Sequence, residues 1–145
     1  MNEADKTLAI AALNRIMETE LAGVVKYTHY SLMVFGYNRI PIVSWLKGNA
    51  NESLAHAHRA GELLTLLGGH PSLKIGSLLE TEKHDIGDIL RESLAHEKTA
   101  IAAYYELLKI AESKSILLEE YAREMIVQEE AHVAEVNKML RAQPK

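Results

Sequence analysis

Met125-Ile126-Val127-Gln128-Glu129-Glu130-Ala131-His132-Val133 is the stretch that decides how this chain folds. Around it, Leu118, Ala122, Met125, Glu129, His132, Val136 and Met139 recur in alternating steps of four and three residues. That is the period of a helix burying one stripe. Glu129 and His132 are ionisable where the stripe calls for apolar residues. A carboxylate and an imidazole buried without partners are strongly destabilising, so the stripe needs a compensating group, and a metal ion would supply it. Glu-x-x-His sets its side chains about 60° apart around the axis and one turn apart along it. A single motif of this kind arises by chance on many helices. Its weight depends on matching ligands elsewhere.

The composition bounds the answer. A chain of 145 residues is long enough for one domain with a real core. Hydrophobic residues at 48% and charged ones at 25% are those of a globular protein and exclude disorder. Three prolines and eight glycines favour helices over a loop-rich β fold. No apolar run is long enough to cross a membrane, and the polar start Met1-Asn2-Glu3-Ala4-Asp5-Lys6-Thr7 is unlike a signal peptide. Cysteine is absent, which excludes disulfides, thiolate metal sites and cysteine nucleophiles and fits a cytoplasmic location. A net charge of −4 gives no basic footprint for nucleic acid. Carboxylates and seven histidines remain, a donor set for hard or borderline metals such as Fe, Mn and Zn.

Four long helices follow from the pattern. The first is expected from about Ala4 to about Phe35, with the seam Leu13, Met17, Glu20, Val24, Tyr27, Ser31 and Val34, and ends at Gly36-Tyr37-Asn38. The second runs from about Pro41 to about Leu67, with the seam Leu46, Asn49, Ser53, His56, Ala60, Leu63 and Leu67, and closes at Gly68-Gly69. Gly48 and Gly61 within it are expected to let a neighbour approach closely. From Gly69 to about Glu82 there is no helical pattern, although Leu78 and Leu79 are expected to pack. So long a connection reads as a crossover along the bundle. The third helix spans about Asp85 to Ala111, with the seam Leu90, Leu94, Glu97, Ile101, Tyr104, Leu108 and Ala111. The fourth spans about Ser115 to Arg141, with Ser115 as N-cap. The fold class is therefore all-α: a four-helix bundle of two hairpins joined by a long crossover.

The two hairpins echo each other. Glu20 precedes Tyr27 by seven residues, and Glu97 precedes Tyr104 by seven. Glu20 to His56 is 36 residues, and Glu97 to His132 is 35. Each hairpin thus offers a carboxylate on its first helix and a histidine on its second at nearly equal depth. Two-metal carboxylate centres in bundle cores take one Glu from each of two helices and Glu-x-x-His from each of the other two. Tyr27 and Tyr104 are core aromatics, or hydrogen-bond donors and electron sources beside the metals. His58 and His96 flank the seam as surface or outer groups. His70 and His84 fall in the crossover and are expected to be solvated, and His29 lies on an outer face.

Over most of its length the chain resembles the ferritin-like superfamily, and within it the bacterioferritins. The resemblance rests on Thr19-Glu20-Leu21-Ala22 through Tyr27, on His56-Ala57-His58-Arg59 through Gly68-Gly69-His70-Pro71-Ser72-Leu73, on Leu94-Ala95-His96-Glu97 and on Glu129-Glu130-Ala131-His132. It implies Glu20 and Glu97 as terminal ligands, Glu129 as a bridge, and His56 and His132 as one nitrogen ligand per metal. It also implies that Glu20, Tyr27, Glu97 and Glu129 serve Fe(II) oxidation by dioxygen or peroxide, with storage of the product inside a protein shell.

Three features depart from the bacterioferritin pattern. The bridging Glu of the second helix is replaced by Ser53. Glu52, about 40° from His56 around the helix, becomes a ligand if a local stutter or bulge swings it inward; otherwise the centre lacks one bridge. The haem-ligating Met is replaced by Leu54, so haem is not expected. The short fifth helix of the family is missing from this sequence, which leaves a homo-oligomer of at least a dimer, or a shell of 12 or 24 subunits. Three readings stay open: an iron-oxidising storage protein, a non-shell di-iron oxidase or peroxide scavenger, and a degenerate structural subunit. Because only the Glu129 side keeps the full Glu-x-x-His spacing, the metal held by Glu97, Glu129 and His132 is expected to bind more tightly.

Overall fold

The computed structural model describes residues 1–141. They form α1 (Glu3–Leu32), α2 (Arg39–Leu66), α3 (Ile86–Ala111) and α4 (Ile116–Leu140). Asn2 caps α1 by accepting from the Asp5 amide at 2.8 Å, and Ser115 caps α4 by accepting from the Leu118 amide at 3.3 Å. α1 stops three residues before the expected Phe35. Val34 turns into the core, its carbonyl accepts from Arg39 Nη1 at 2.5 Å, and Gly36 takes φ +99°. Phe35 is left exposed. α2 begins two residues before Pro41, which then sits in the first turn, where a missing N–H removes no helical hydrogen bond.

Each neighbouring pair of helices is antiparallel, as the contacts across them show. Across α1 and α2, Glu20 faces His56 and Met17 faces Gly61. Across α3 and α4, Glu97 faces His132 and Glu112 faces Arg123. Across α1 and α3, Tyr27 faces Glu97 and Tyr104 faces Glu20. Across α2 and α4, His56 faces Glu129 and Arg59 faces Glu124. The long crossover is what lets the two hairpins lie this way.

The apolar core is split in two. One part gathers Leu13, Ile16, Leu64, Leu107, Leu118 and Met125, with their neighbours. The other gathers Tyr30, Val34, Val43, Leu46 and Ile89 at the opposite end. Buried Glu20, Ser53, His56, Glu97 and Glu129 occupy the layer between them. The seams hold in part: in α3 the expected Leu94, Ile101 and Leu108 are half-buried while Ser93, Ala100 and Leu107 beside them fill the core, and Met139 at the end of α4 is exposed. Of the two glycines expected to admit a neighbour, Gly61 meets Met17 and Gly48 faces open space.

The crossover docks on α1 through polar and backbone atoms. The Asn14 side chain accepts from the Ser72 amide at 2.8 Å and donates to the His70 carbonyl at 3.2 Å, and the Gly76 amide donates to the Glu18 carbonyl at 2.8 Å. Leu78 and Leu79, expected to pack, are exposed instead, Leu79 at 83%. The segment is held by these hydrogen bonds and not by side-chain burial, so nothing draws the two leucines inward. Among the described residues, no helix is long and apolar enough to cross a membrane.

Candidate metal centre

Five of the six expected ligands meet in the polar layer. Their ligand atoms form two overlapping groups, Glu20–His56–Glu129 and Glu97–Glu129–His132. Glu129 belongs to both, which is the geometry of a bridge. His56 Nδ1 lies 3.2 Å from Glu129 Oε1 and 3.5 Å from Glu20 Oε2, and His132 Nδ1 lies 3.6 Å from Glu97 Oε1. Two ligands each about 2.0–2.2 Å from one ion stand roughly 3–3.6 Å apart. The observed spacings therefore suit a cation in each group.

Unpaired atoms point the same way. Glu129 Oε2 and His132 Nε2 are buried without a hydrogen-bond partner. Natural interiors rarely leave such groups orphaned; Asn49 Nδ2 and Tyr121 OH also lack a partner, but only Glu129 Oε2 and His132 Nε2 belong to one ligand group, where a bound cation would satisfy both. Oxygen and imidazole donors suit Fe, Mn or Zn.

The tyrosines are wired crosswise. Tyr27 on α1 donates to Glu97 Oε1 on α3, and Tyr104 on α3 donates to Glu20 Oε1 on α1 at 3.1 Å. The seven-residue repeat in the sequence thus becomes a two-fold arrangement in space. Burial, reinforced by the facing carboxylates, pushes both phenols well above their ordinary range, so they remain donors. Each fixes one oxygen of the carboxylate it touches.

The acids differ. Burial raises Glu20. Burial also raises Glu129, and the neighbouring carboxylates Glu97 and Glu20 add to it against the opposing pull of His56. Glu97 goes the other way: burial is outweighed by its hydrogen bonds with His132, Glu129 and Tyr27, which hold it below the ordinary carboxylate range. For His56, burial is outweighed by hydrogen bonds to Glu129 and Glu20, which lift it to about 10. His132 is likewise raised against burial by its bond to Glu97. Without a metal, the layer is a set of carboxyl and imidazole groups sharing protons.

Glu52, the sixth expected ligand, stands outside both groups. α2 runs as an unbroken α-helix from Arg39 to Leu66, so the bulge that would swing Glu52 inward does not occur. Its side chain is 52% exposed, and its Oε1 lies 3.7 Å from His56 Nε2, the ring nitrogen turned away from Glu20 and Glu129. Ser53 is buried against Gly23 of α1, where an added Cβ would lie 2.9 Å from Ser53 Oγ. That space is taken by helix packing. Leu54 is exposed on the outer side of α2.

His96 is more deeply involved than its flanking position implied. It is buried, packs edge-on against Tyr27 at 6.2 Å and accepts from Lys26 Nζ at 3.3 Å through Nδ1. Burial and the Lys26 charge lower it to about 4. A neutral imidazole therefore backs the tyrosine that holds Glu97. No spacing within a helix signals a contact between residues 70 positions apart. Trp45, the single tryptophan, lies 5.8 Å from His132, ring to ring.

Comparison with known proteins agrees with this geometry. The profile of the ferritin-like domain matches residues 10–144. The chain belongs to the ferritin-like family. No curated protein matches it by sequence. Among solved structures, a ferritin-like diiron-carboxylate protein of Bacillus anthracis superposes with a TM-score of 0.89 at 22% identity, over 97% of this chain and all of that one. The bacterioferritin of Desulfovibrio desulfuricans gives 0.82 at 25% identity, covering 95% of this chain and 81% of that one. A bacterioferritin-related protein of Bacteroides fragilis, described as a dodecameric thioferritin, gives 0.83 at 22% identity over 93% and 85% of the two chains. The fold is that of the ferritin-like diiron-carboxylate proteins, with carboxylate and histidine groups placed as candidate metal ligands.

Proposed function

We propose that this chain holds two iron ions through Glu20, His56, Glu97, Glu129 and His132 and oxidises Fe(II) with dioxygen or peroxide. The position of Glu129 in both ligand groups carries the reading. Two adjacent Fe(II) ions would supply the electrons that reduce the oxidant. Glu129 would contribute a carboxylate to both cations, and Glu20 and Glu97 would each contribute one to a single cation. Tyr27 and Tyr104 hold those terminal carboxylates in place and keep their second oxygens directed. Glu52, whose Oε1 lies 3.7 Å from His56 Nε2, is proposed as an outer carboxylate whose charge favours a proton on that nitrogen and so leaves Nδ1 to ligate. The apolar clusters above and below limit water in the layer.

A purely structural role for the polar layer is disfavoured by the orphaned Glu129 Oε2 and His132 Nε2. With Leu54 where a haem ligand would stand, no haem is proposed. The diiron-carboxylate neighbours support iron over Mn or Zn, and the dodecameric B. fragilis protein supports a homo-oligomer. A cysteine-free chain suits the cytoplasm.

The test is metal analysis and oxygen uptake after anaerobic Fe(II) loading, on the wild type and on Glu129→Ala. Two irons per subunit and rapid oxidation, both lost in the variant, are expected. Unchanged iron content and oxidation in Glu129→Ala would refute the site. Native mass then separates the roles: a hollow shell is required for storage, whereas a dimer that still consumes peroxide would be an oxidase or scavenger without storage.

A further inference from the structure

We propose that His29, Glu80 and His84 form a separate cation site that takes a borderline divalent metal ion such as Zn(II) and clamps the crossover to the bundle. His29 comes from the last turn of α1, and Glu80 and His84 both come from the end of the crossover, just before α3. Their ligand atoms converge as a group distinct from those around Glu129. His29 Nε2 and His84 Nε2 face each other at 3.4 Å, and Glu80 Oε2 lies 3.2 Å from His29 Nε2. Glu80 Oε1 lies 3.9 Å from His84 Nε2. In a tetrahedron with metal bonds of about 2.0–2.1 Å the edges are about 3.3–3.4 Å. The two imidazole nitrogens already stand at that separation.

The chemistry favours a cation between them. Two Nε2 atoms that both carry hydrogens, or both carry lone pairs, repel at this distance. A single proton shared between them satisfies both nitrogens but leaves the Glu80 carboxylate outside that bond, whereas a metal ion accepts both lone pairs and the carboxylate together. Two imidazoles and one carboxylate select a borderline ion over Mg(II) or Ca(II). The half-exposed position leaves the remaining coordination sites to water.

The surroundings hold the carboxylate ready. The Glu82 amide donates to Glu80 Oε1 at 2.6 Å, from a residue held at φ +56°. A non-glycine residue in that region is uncommon, and here its amide orients the ligand. Lys26 lines the same groove, yet its Nζ is directed to His96. The neighbouring Leu78 and Leu79 are exposed, so this part of the crossover gains little from apolar burial. A metal joining α1 to two points of the crossover would add to the anchorage that its hydrogen bonds provide.

The test uses the full chain stripped with chelator and titrated with Zn(II), comparing the wild type with His84→Gln and Glu80→Gln. The wild type is expected to bind one more Zn(II) per subunit than either variant, whatever the occupancy of the Glu129 centre. That equivalent is expected to slow tryptic cleavage after Lys74 and Lys83 by about tenfold or more in the wild type alone, because only the closed form gains the ion's binding energy. Equal stoichiometry in all three proteins, or equal cleavage with and without Zn(II), would overturn the proposal. Helix content by circular dichroism, expected to be the same in all three, excludes misfolding as the cause of a difference.

Discussion

Glu129 carries two demands at once: it is buried beside two other carboxylates, and one of its oxygens lacks a partner. Glu129→Gln removes a titrating buried acid while keeping the shape. Gln keeps an oxygen that can accept from His56 Nδ1, so the metal-free variant is expected to stay within about 1 kcal/mol of the wild type in chemical denaturation near neutral pH, while metal binding is lost. A loss of several kcal/mol in the apoprotein would mean that the carboxylate serves the fold. His56 sets a pH dependence of definite sign. Its folded-state value is raised from 6.5 to about 10, so the native state holds a proton that the unfolded chain releases earlier. The stability this gives the apoprotein is complete below about pH 6.5 and is lost as pH rises through about 10. Metal binding must displace that proton, so affinity should rise across the same window. Denaturation of the apoprotein and metal titration, each followed from pH 6 to 10, should therefore slope in opposite directions. The candidate ligands Glu20, Glu97, Glu129 and His132 stood out in the sequence because each is an ionisable residue within an apolar heptad, and His56 because its spacing from Glu20 matches that of His132 from Glu97. His96, His29 and His84 did not, because their roles come from residues 55 to 70 positions away.

The helices carry the layer only if they approach closely, and Gly23 is where α1 allows it. A Cβ there would lie 2.8 Å from His96 Nε2 and 2.9 Å from Ser53 Oγ, closer than real contacts permit. Gly23→Ala is expected to destabilise the protein by about 1–3 kcal/mol. It should also weaken metal binding, by shifting α2 and α3 relative to α1; unchanged stability and affinity would show that the packing there is loose. The helices themselves followed from heptad spacing, because burial of one stripe repeats every turn. Their ends and the crossover did not. α1 closes early through an Arg39 contact to a backbone carbonyl, and the crossover docks through Asn14 and the Gly76 amide. Such contacts leave no periodic trace. The hairpins also differ electrostatically: Glu97 is held ionised by His132, whereas Glu20 is raised by burial. The first metal equivalent should therefore bind at Glu97, Glu129 and His132. Trp45 beside His132 reports it: most of the quenching by Fe(II) or Co(II) should accompany the first equivalent, and quenching confined to the second would reverse the order.

At the scale of the molecule, two apolar clusters enclose one polar layer, and the two hairpins meet there in pseudo-two-fold fashion. The crossed Tyr27–Glu97 and Tyr104–Glu20 pairs express that symmetry in hydrogen bonds. Ser53 breaks it: the α2 hairpin supplies His56 without a bridging carboxylate, and Gly23 occupies the adjoining space. The bundle thus has the ferritin-like form, with Glu129 shared by the two candidate ligand groups in its polar layer. The same break was visible in the sequence, but its consequence for Glu52 was not, since only the unbroken course of α2 leaves that side chain on the far nitrogen of His56. The most direct test is anomalous diffraction at the iron edge from crystals loaded anaerobically with Fe(II). Two peaks per subunit in the polar layer, both within bonding distance of Glu129, are the expected result; a single peak, or two that do not share Glu129, would contradict it.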